Sequence, residues 1–295
     1  MAGSDPAPRA GPAQEGRIAV IAGGGALPVS VVRTLVAKGQ PPLVAVVSGE
    51  ASAADFAGAE CFPVSVEDVG PLVARLRAEG VGRVVMAGNI ERRPRLSRIR
   101  WSLPLLFSLP RIAAGLMRGD DALLRTVIGV FEANGMRVVA VDEVVPDLLT
   151  PEGVLTRTKP SAADRRDVEA AAAAARAIGR LDIGQAAIAV GGRAIALEGI
   201  EGTDGLLART AAMRGHGRLA GKSGGALVKC CKPQQDRRAD LPAIGPDTVA
   251  AARAAGLAGI ALDAGRSFIL DFERTVALAD EAGLFVVGLT PEEGA

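Results

Sequence analysis

"RIAVIAGGGALP", Arg17 to Pro28, decides the fold. A short apolar run breaks into Gly23, Gly24 and Gly25, and "VSVVRTLVAKG" follows with helical spacing and a glycine stop. Such a run, bounded by glycines, reads as a buried parallel strand entering a tight turn and a helix. Working outward, "PLVAVVSG" reads as a second strand, "VEDVGPLVARLRAEG" as a helix, "VGRVVMAGN" as a third strand and "MRVVAVDEVVPDLL" as a further one. Strand and helix alternate, which predicts an open parallel α/β layer over the first half.

The second half has a different rhythm. "SAADRRDVEAAAAAARAIGRLDIG" is an Ala-rich helix with a Ser or Asp cap. "QAAIAVGGRAIALEG" alternates around Gly191 and Gly192, the pattern of a hairpin. Further strands and helices follow, so a separate mixed α/β unit is expected. The division is a disordered tail over 1–16, an N-terminal domain over 17–149, a linker over 150–163 and a C-terminal α/β domain over 164–295.

Bulk properties exclude several classes. The 295 residues are 49% hydrophobic but only 3% aromatic, so the core is built from small aliphatics. A net charge of +1 argues against a nucleic-acid binder, which carries a clear basic excess. Cys61, Cys230 and Cys231 are an odd set with no C-x-x-C, and His216 is the one histidine, which speaks against a disulfide framework or structural zinc. The cysteine pair reads as strand filling. The tail has no apolar core of a signal peptide, and no run of about 18 apolar residues predicts a spanning helix. A cytoplasmic protein is expected. The basic lead-in Arg92–Arg100 and the apolar "LPLLFSLPRIAAGLM" after it admit a peripheral membrane contact as well as a buried helix. A homodimer is compatible with these features.

Four stretches carry candidate chemistry. Gly24, Gly25, Ala26 and Leu27 lie where a strand-to-helix turn presents backbone N–H groups to an anion. Pro28 stands where the dinucleotide fingerprint wants its third glycine, so phosphate or nucleotide is favoured over NAD specifically. Asn89, at the end of "MAGN", sits where open α/β sheets bind ligands. Asp120 and Asp121 open a helix, as caps or as polar contacts. Asp182, Gln185, Glu201, Thr203 and Asp204 cluster with glycines as a polar rim.

The fourth stretch is "KCCKPQQDRRADLP", Lys229 to Pro242. Phosphoryl chemistry needs cations around phosphate oxygens and a carboxylate to hold a metal or orient water. Lys229, Lys232, Arg237 and Arg238 supply the first; Asp236 and Asp240 are candidates for the second. A solvated loop of alternating charges is the plainer reading. No Gly-x-Ser-x-Gly elbow occurs, so serine hydrolysis is poorly supported.

"IAGGGALP", "AGN", "GDDALLR", "IGRLDIGQ", "EGTD", "KP", "DLPAIG" and "AGLAGI" stand in this order along residues 17 to 290. The ordered set resembles the UDP-2,3-diacylglucosamine pyrophosphatases of the LpxI type, from lipid A biosynthesis. The resemblance implies a Rossmann-like N-terminal domain, a C-terminal α/β domain of its own type and a lipid–nucleotide ligand between them. It implies Mg²⁺-dependent hydrolysis of UDP-2,3-diacylglucosamine to UMP and 2,3-diacylglucosamine 1-phosphate, water attacking the phosphate on the sugar side. It places the essential carboxylate, and the metal contact, at Asp240. Two readings compete: an NAD-dependent oxidoreductase, with Glu50 as the ribose acid, and a non-catalytic lipid- or nucleotide-binding protein.

Overall fold

The apolar runs of the first half do become parallel strands, and their order fixes where a ligand can sit. The structure is a computed structural model describing residues 16–90, 92, 120–233, 238 and 241–290, with only the backbone of 120–123 and, at 218, no side chain. Strands β1 (Arg17–Ala22), β2 (Leu43–Val47), β3 (Glu60–Val64), β4 (Val81–Ala87) and β5 (Arg137–Val139) pair in parallel in the order β3-β2-β1-β4-β5. Helices α1 (Ala26–Ala37), α2 (Val69–Ala78), α3 (Asp120–Ala133) and the short α4 (Val141–Val144) complete the unit. Along β1, Ile18, Val20 and Ala22 enter the buried cluster that holds α1, while Ala19 and Ile21 enter the one that holds α2 and α3. Both faces are covered, which is why these strands are continuously apolar.

One strand departs from the sequence reading. β3 was not anticipated, so "VGRVVMAGN" is the fourth strand rather than the third. Pro63 breaks the apolar pattern there, and the strand tolerates it because β3 is an edge.

The second sheet is mixed. β6 (Gly153–Val154), β7 (Ala186–Ala189), β8 (Ala194–Leu197), β9 (Ala226–Lys229), β11 (Gly259–Asp263) and β13 (Phe285–Leu289) take the order β6-β13-β11-β9-β7-β8. β9, β11 and β13 are parallel; β6 and β7 run against their neighbours β13 and β9. Gly191 and Gly192, at φ 65° and 75°, make the β7–β8 turn that only residues tolerant of positive φ allow. A small ladder, β10 (Ala243–Ile244) with β12 (Phe268–Ile269), lies beside this sheet.

Helix α5 (Ala162–Arg180) starts on Ser161, whose hydroxyl accepts the Asp164 N–H at 3.2 Å while Asp164 accepts the Ser161 N–H at 2.8 Å. Its Val168, Ala171, Ala172 and Ala175 bury against β7, β9 and β11. The alanine tract is thus a packing device: small side chains let the helix lie close on the sheet. Helices α6 (Gly202–Met213), α7 (Pro246–Ala254) and α8 (Phe272–Ala282) cover the other face.

Residues 150–163 connect the units and also take part in the second: Thr150 N–H bonds Ser267 O at 2.8 Å, and β6 follows. The two halves touch. Leu241, Phe268 and Leu270 share a buried cluster with Leu27, Val31 and Leu35 of α1, and Arg33 pairs with Asp271 at 3.3 Å. Among the described residues no helix is long and apolar enough to cross a membrane.

Candidate functional site

The strand order of the first sheet reverses between β1 and β4. β1, β2 and β3 step one way and β4 and β5 the other. The crevice outside the carboxyl ends at such a point is where open α/β sheets take ligands. The glycine turn follows β1 and Asn89 follows β4, so both stand there. Gly24 and Asn89 exchange backbone hydrogen bonds, at 2.7 Å and 3.0 Å, as an isolated antiparallel bridge.

This bridge separates the glycines by task. A Cβ on Gly23 would lie 2.4 Å from Asn89 O, and one on Gly88 2.4 Å from Gly24 O. Those two glycines exist so that backbone can meet backbone. A Cβ on Gly25 would meet nothing within 4 Å, yet its φ is 89°. Gly25 is exposed, starts α1 and provides no side-chain cap. The N-cap residue itself therefore supplies no acceptor to the first N–H groups of α1, the kind of groups an anion can use. Ala26 is exposed beside it, Leu27 turns into the core, and the Asn89 side chain is exposed.

Glu50 also acts inside the protein: its Oε1 accepts the Arg92 N–H at 3.0 Å. That engagement weakens its assignment as a ribose acid.

In the second sheet the candidates gather at the carboxyl end of β9. Lys229 is 6% exposed and donates from Nζ to Ala243 O at 2.9 Å. Lys232 is partly exposed and pairs with Asp182 at 2.8 Å, which joins the loop after β9 to the loop after α5. Asp182 reaches this position at φ 56°. Arg238 is partly exposed and pairs with Glu132 of α3 at 3.2 Å, across the two units. Gln185 directly precedes β7, which pairs with β9. Its Oε1 is buried with no partner in the described structure.

Thr203 and Gln185 share one acceptor that the sequence reading missed. Glu198, 6% exposed, takes the Gln185 N–H on Oε2 and the Thr203 hydroxyl on Oε1, each at 2.7 Å. Gly184 lies against the Glu198 carbonyl so closely that a Cβ there would be 2.3 Å away. Thr203 thus ties the rim together, while Asp204 one residue on is exposed. Asp263 was also missed. It ends β11, is 6% exposed, accepts the Cys231 N–H at 3.0 Å and faces Arg176 at 3.5 Å. Its one signal is an acid at the last position of an apolar strand, "GIALD".

Cys230 is buried in the core under α5, and Cys231 packs against the cluster shared by the two units, so the pair fills space. His216 is exposed in the turn after α6. Asp236, Arg237 and Asp240 lie outside the described residues, as do Arg93–Arg100 and the apolar 103–117 stretch; Asp120 and Asp121 open α3, but their side chains are outside as well.

Among the described residues no three Asp, Glu, His or Cys side chains stand together as a metal cage. Glu198 and Asp263 are already engaged. Mg²⁺ does not require a cage: it is usually held by one or two carboxylates together with substrate phosphates and water.

Comparison with known proteins agrees across both units. Residues 17–148 match the family model of the LpxI N-terminal domain, and residues 151–287 that of the LpxI C-terminal domain. The chain is 40% identical over 283 residues to the UDP-2,3-diacylglucosamine pyrophosphatase LpxI of Caulobacter vibrioides, covering 94% of this chain and 99% of that one.

Proposed function

The chain belongs to the LpxI family, and from that premise we propose that it hydrolyses the pyrophosphate of UDP-2,3-diacylglucosamine to UMP and 2,3-diacylglucosamine 1-phosphate, in lipid A biosynthesis. The observation that carries this reading is the full-length similarity to a pyrophosphatase of that name, which spans both units and not merely a nucleotide-binding half.

The geometry supports a division of labour. The Gly24–Leu27 turn, with Asn89, offers backbone N–H groups and an amide to the nucleotide side of the ligand. Lys232 and Arg238 stand on the loop after β9 and offset the pyrophosphate charge. Their present partners, Asp182 and Glu132, are exposed carboxylates that hold the cations in place at little energetic cost, as surface pairs do. Gln185 brings an amide oxygen with no partner among the described residues. Leu27 and Leu241 lie in one buried cluster, so the chain just after the glycine turn and the chain just after Asp240 belong to the same core.

Asp240 is the catalytic carboxylate in this reading, and it is the residue that would hold Mg²⁺. Bound there, the ion would neutralise charge on the pyrophosphate oxygens. The apolar surfaces of the two units shelter acyl chains, and the reaction takes place in the cytoplasm, at the membrane face where such a lipid resides.

The test is mass spectrometry of UDP-diacylglucosamine turnover in ¹⁸O-water, with and without Mg²⁺. Label is expected in 2,3-diacylglucosamine 1-phosphate, and chelation is expected to stop turnover. Asp240→Ala is expected to abolish hydrolysis while retaining lipid–nucleotide binding. Near-normal hydrolysis by that variant would remove Asp240 from the mechanism. The absence of Rossmann-type readout favours this over the oxidoreductase: Pro28 replaces the third glycine and Glu50 is engaged with Arg92.

A further inference from the structure

β9 belongs to the six-stranded sheet, whereas β10, the next strand along the chain, belongs to the small ladder with β12. Lys229 Nζ, at the end of β9, crosses to Ala243 O, the first carbonyl of β10, at 2.9 Å. One step further out, Asp263 Oδ2 accepts the Cys231 N–H at 3.0 Å. Leu262 and Lys229 are register partners on β11 and β9, so Asp263 stands just past the last paired residues, where the two chains diverge. A backbone N–H at such a split has lost its ladder partner, and the carboxylate replaces it.

Asp263 is itself held. Its Oδ1 faces Arg176 Nη2 of α5 at 3.5 Å, and its own carbonyl accepts the Ser267 hydroxyl at 2.6 Å. Carboxylate and guanidinium are both largely buried, at 8% and 14% side-chain exposure. A charge this deep is costly unless paired and hydrogen-bonded. Arg176 and the Cys231 N–H meet that cost, and the pairing ties helix, strand and loop at one point.

We propose that Asp263, braced by Arg176, is a positioning residue for the hydrolysis: it fixes the chain at Cys231, where the stretch of sequence that carries Asp240 begins. Asp263 does not touch the substrate; it acts through the Cys231 backbone. This rests on the assignment of the loop to catalysis made above. Holding a reacting group within a fraction of an ångström matters because a 1 Å misplacement costs about a hundredfold in rate.

Asp167 is a built-in control. It is likewise buried, at 5%, and accepts a backbone N–H, that of Gly192. That bond is at the β7–β8 turn, the opposite end of β7 from Gln185. The experiment compares Asp263→Ala, Asp263→Asn and Asp167→Ala on UDP-diacylglucosamine, with kcat and KM measured on folded protein normalised by thermal unfolding. Asp263→Ala is expected to lose kcat by about thirtyfold or more with KM within about threefold. Asp263→Asn, which retains an acceptor for the Cys231 N–H, is expected to recover at least about tenfold of that loss. Asp167→Ala is expected to lower the unfolding temperature and leave kcat within about twofold. Should Asp263→Ala not fold, Asp263→Asn and Arg176→Lys carry the comparison, each expected to lower kcat measurably without raising KM. The proposal is overturned if every folded Asp263 and Arg176 variant keeps kcat within about twofold of the parent, or if Asp167→Ala lowers kcat as much as Asp263→Ala. Failure of the parent protein to hydrolyse the substrate would instead overturn the functional assignment.

Discussion

The glycine turn of the first unit and the surroundings of the loop after β9 in the second, the two regions to which the proposed ligand is assigned, are built by opposite means. The turn is made of backbone. Gly23, Gly24 and Gly88 let two strand ends touch, and Gly25 starts α1 without a side-chain cap. The loop is made of side chains. Lys229, Asp263, Arg176 and Glu198 are charged, largely buried and bonded to backbone or to one another. Backbone sites are rigid once the strands pair, whereas a side-chain site needs every charge satisfied. The first should therefore fail by losing its fold, and the second by losing its alignment.

The sharpest way to break that comparison is Gly88→Ala. The new Cβ would lie 2.4 Å from Gly24 O at φ 87°, with backbone on both sides and no flexible side chain to give way. A loss of about 2–4 kcal/mol is expected, combining the conformational strain with the displaced bridge. Urea unfolding of the purified variant would measure it. Gly25→Ala keeps the positive-φ strain but meets no neighbour, so a smaller loss of about 1–2 kcal/mol is expected. Equal losses at the two positions would show that the Gly24–Asn89 bridge contributes nothing.

This difference also explains what the sequence disclosed. Glycines after an apolar strand announce a turn, and the switch point follows from alternation of strand and helix. Asn89 was legible for that reason, although only the structure separates the packing glycines Gly23 and Gly88 from the open Gly25. The second site was legible in its loop and not in its supports. Asp263 and Glu198 lie 23 and 42 residues from Asp240 along the chain, on strand ends whose neighbours only the sheet order reveals. Lys229 read as a phosphate cation because it adjoins a basic loop; the structure shows in addition that its ammonium donates to Ala243 O of β10, a contact the sequence does not announce. β3 escaped because Pro63 interrupts its pattern, a disruption an edge strand absorbs.

Next in size is Glu198. Glu198→Ala leaves the Gln185 N–H and the Thr203 hydroxyl without their acceptor, and a buried donor left unpaired costs about 1–3 kcal/mol. Glu198→Gln should be far milder. Its amide oxygen still accepts the Gln185 N–H, and the Thr203 hydroxyl rotates to accept from the amide nitrogen, so a loss of under about 1 kcal/mol is expected. Thermal unfolding of the pair separates a network that needs acceptors from one that needs charge. If Gln is as damaging as Ala, the negative charge itself is required, and the rim takes part in electrostatics with the neighbouring cations.

The smallest expected effect on stability is at Lys232, and it is the one that distinguishes holding the fold from holding the ligand. Its pair with Asp182 is at 2.8 Å, but Asp182 is 63% exposed, and exposed pairs contribute about 0–1 kcal/mol. Lys232→Met preserves the aliphatic stem and removes the charge, so the unfolding temperature should scarcely move. If the ammonium instead offsets pyrophosphate charge, KM for UDP-diacylglucosamine should rise by about five- to twentyfold, the loss of one charge-assisted contact. Asp182→Asn supplies the opposite perturbation: it weakens the Lys232–Asp182 pair without removing the cation, and KM should stay level or fall slightly. A matching rise in KM for both variants would mean that the ion pair orders the loop and that Lys232 does not meet the substrate, which would move the phosphate contact to Arg238 and to the α1 turn.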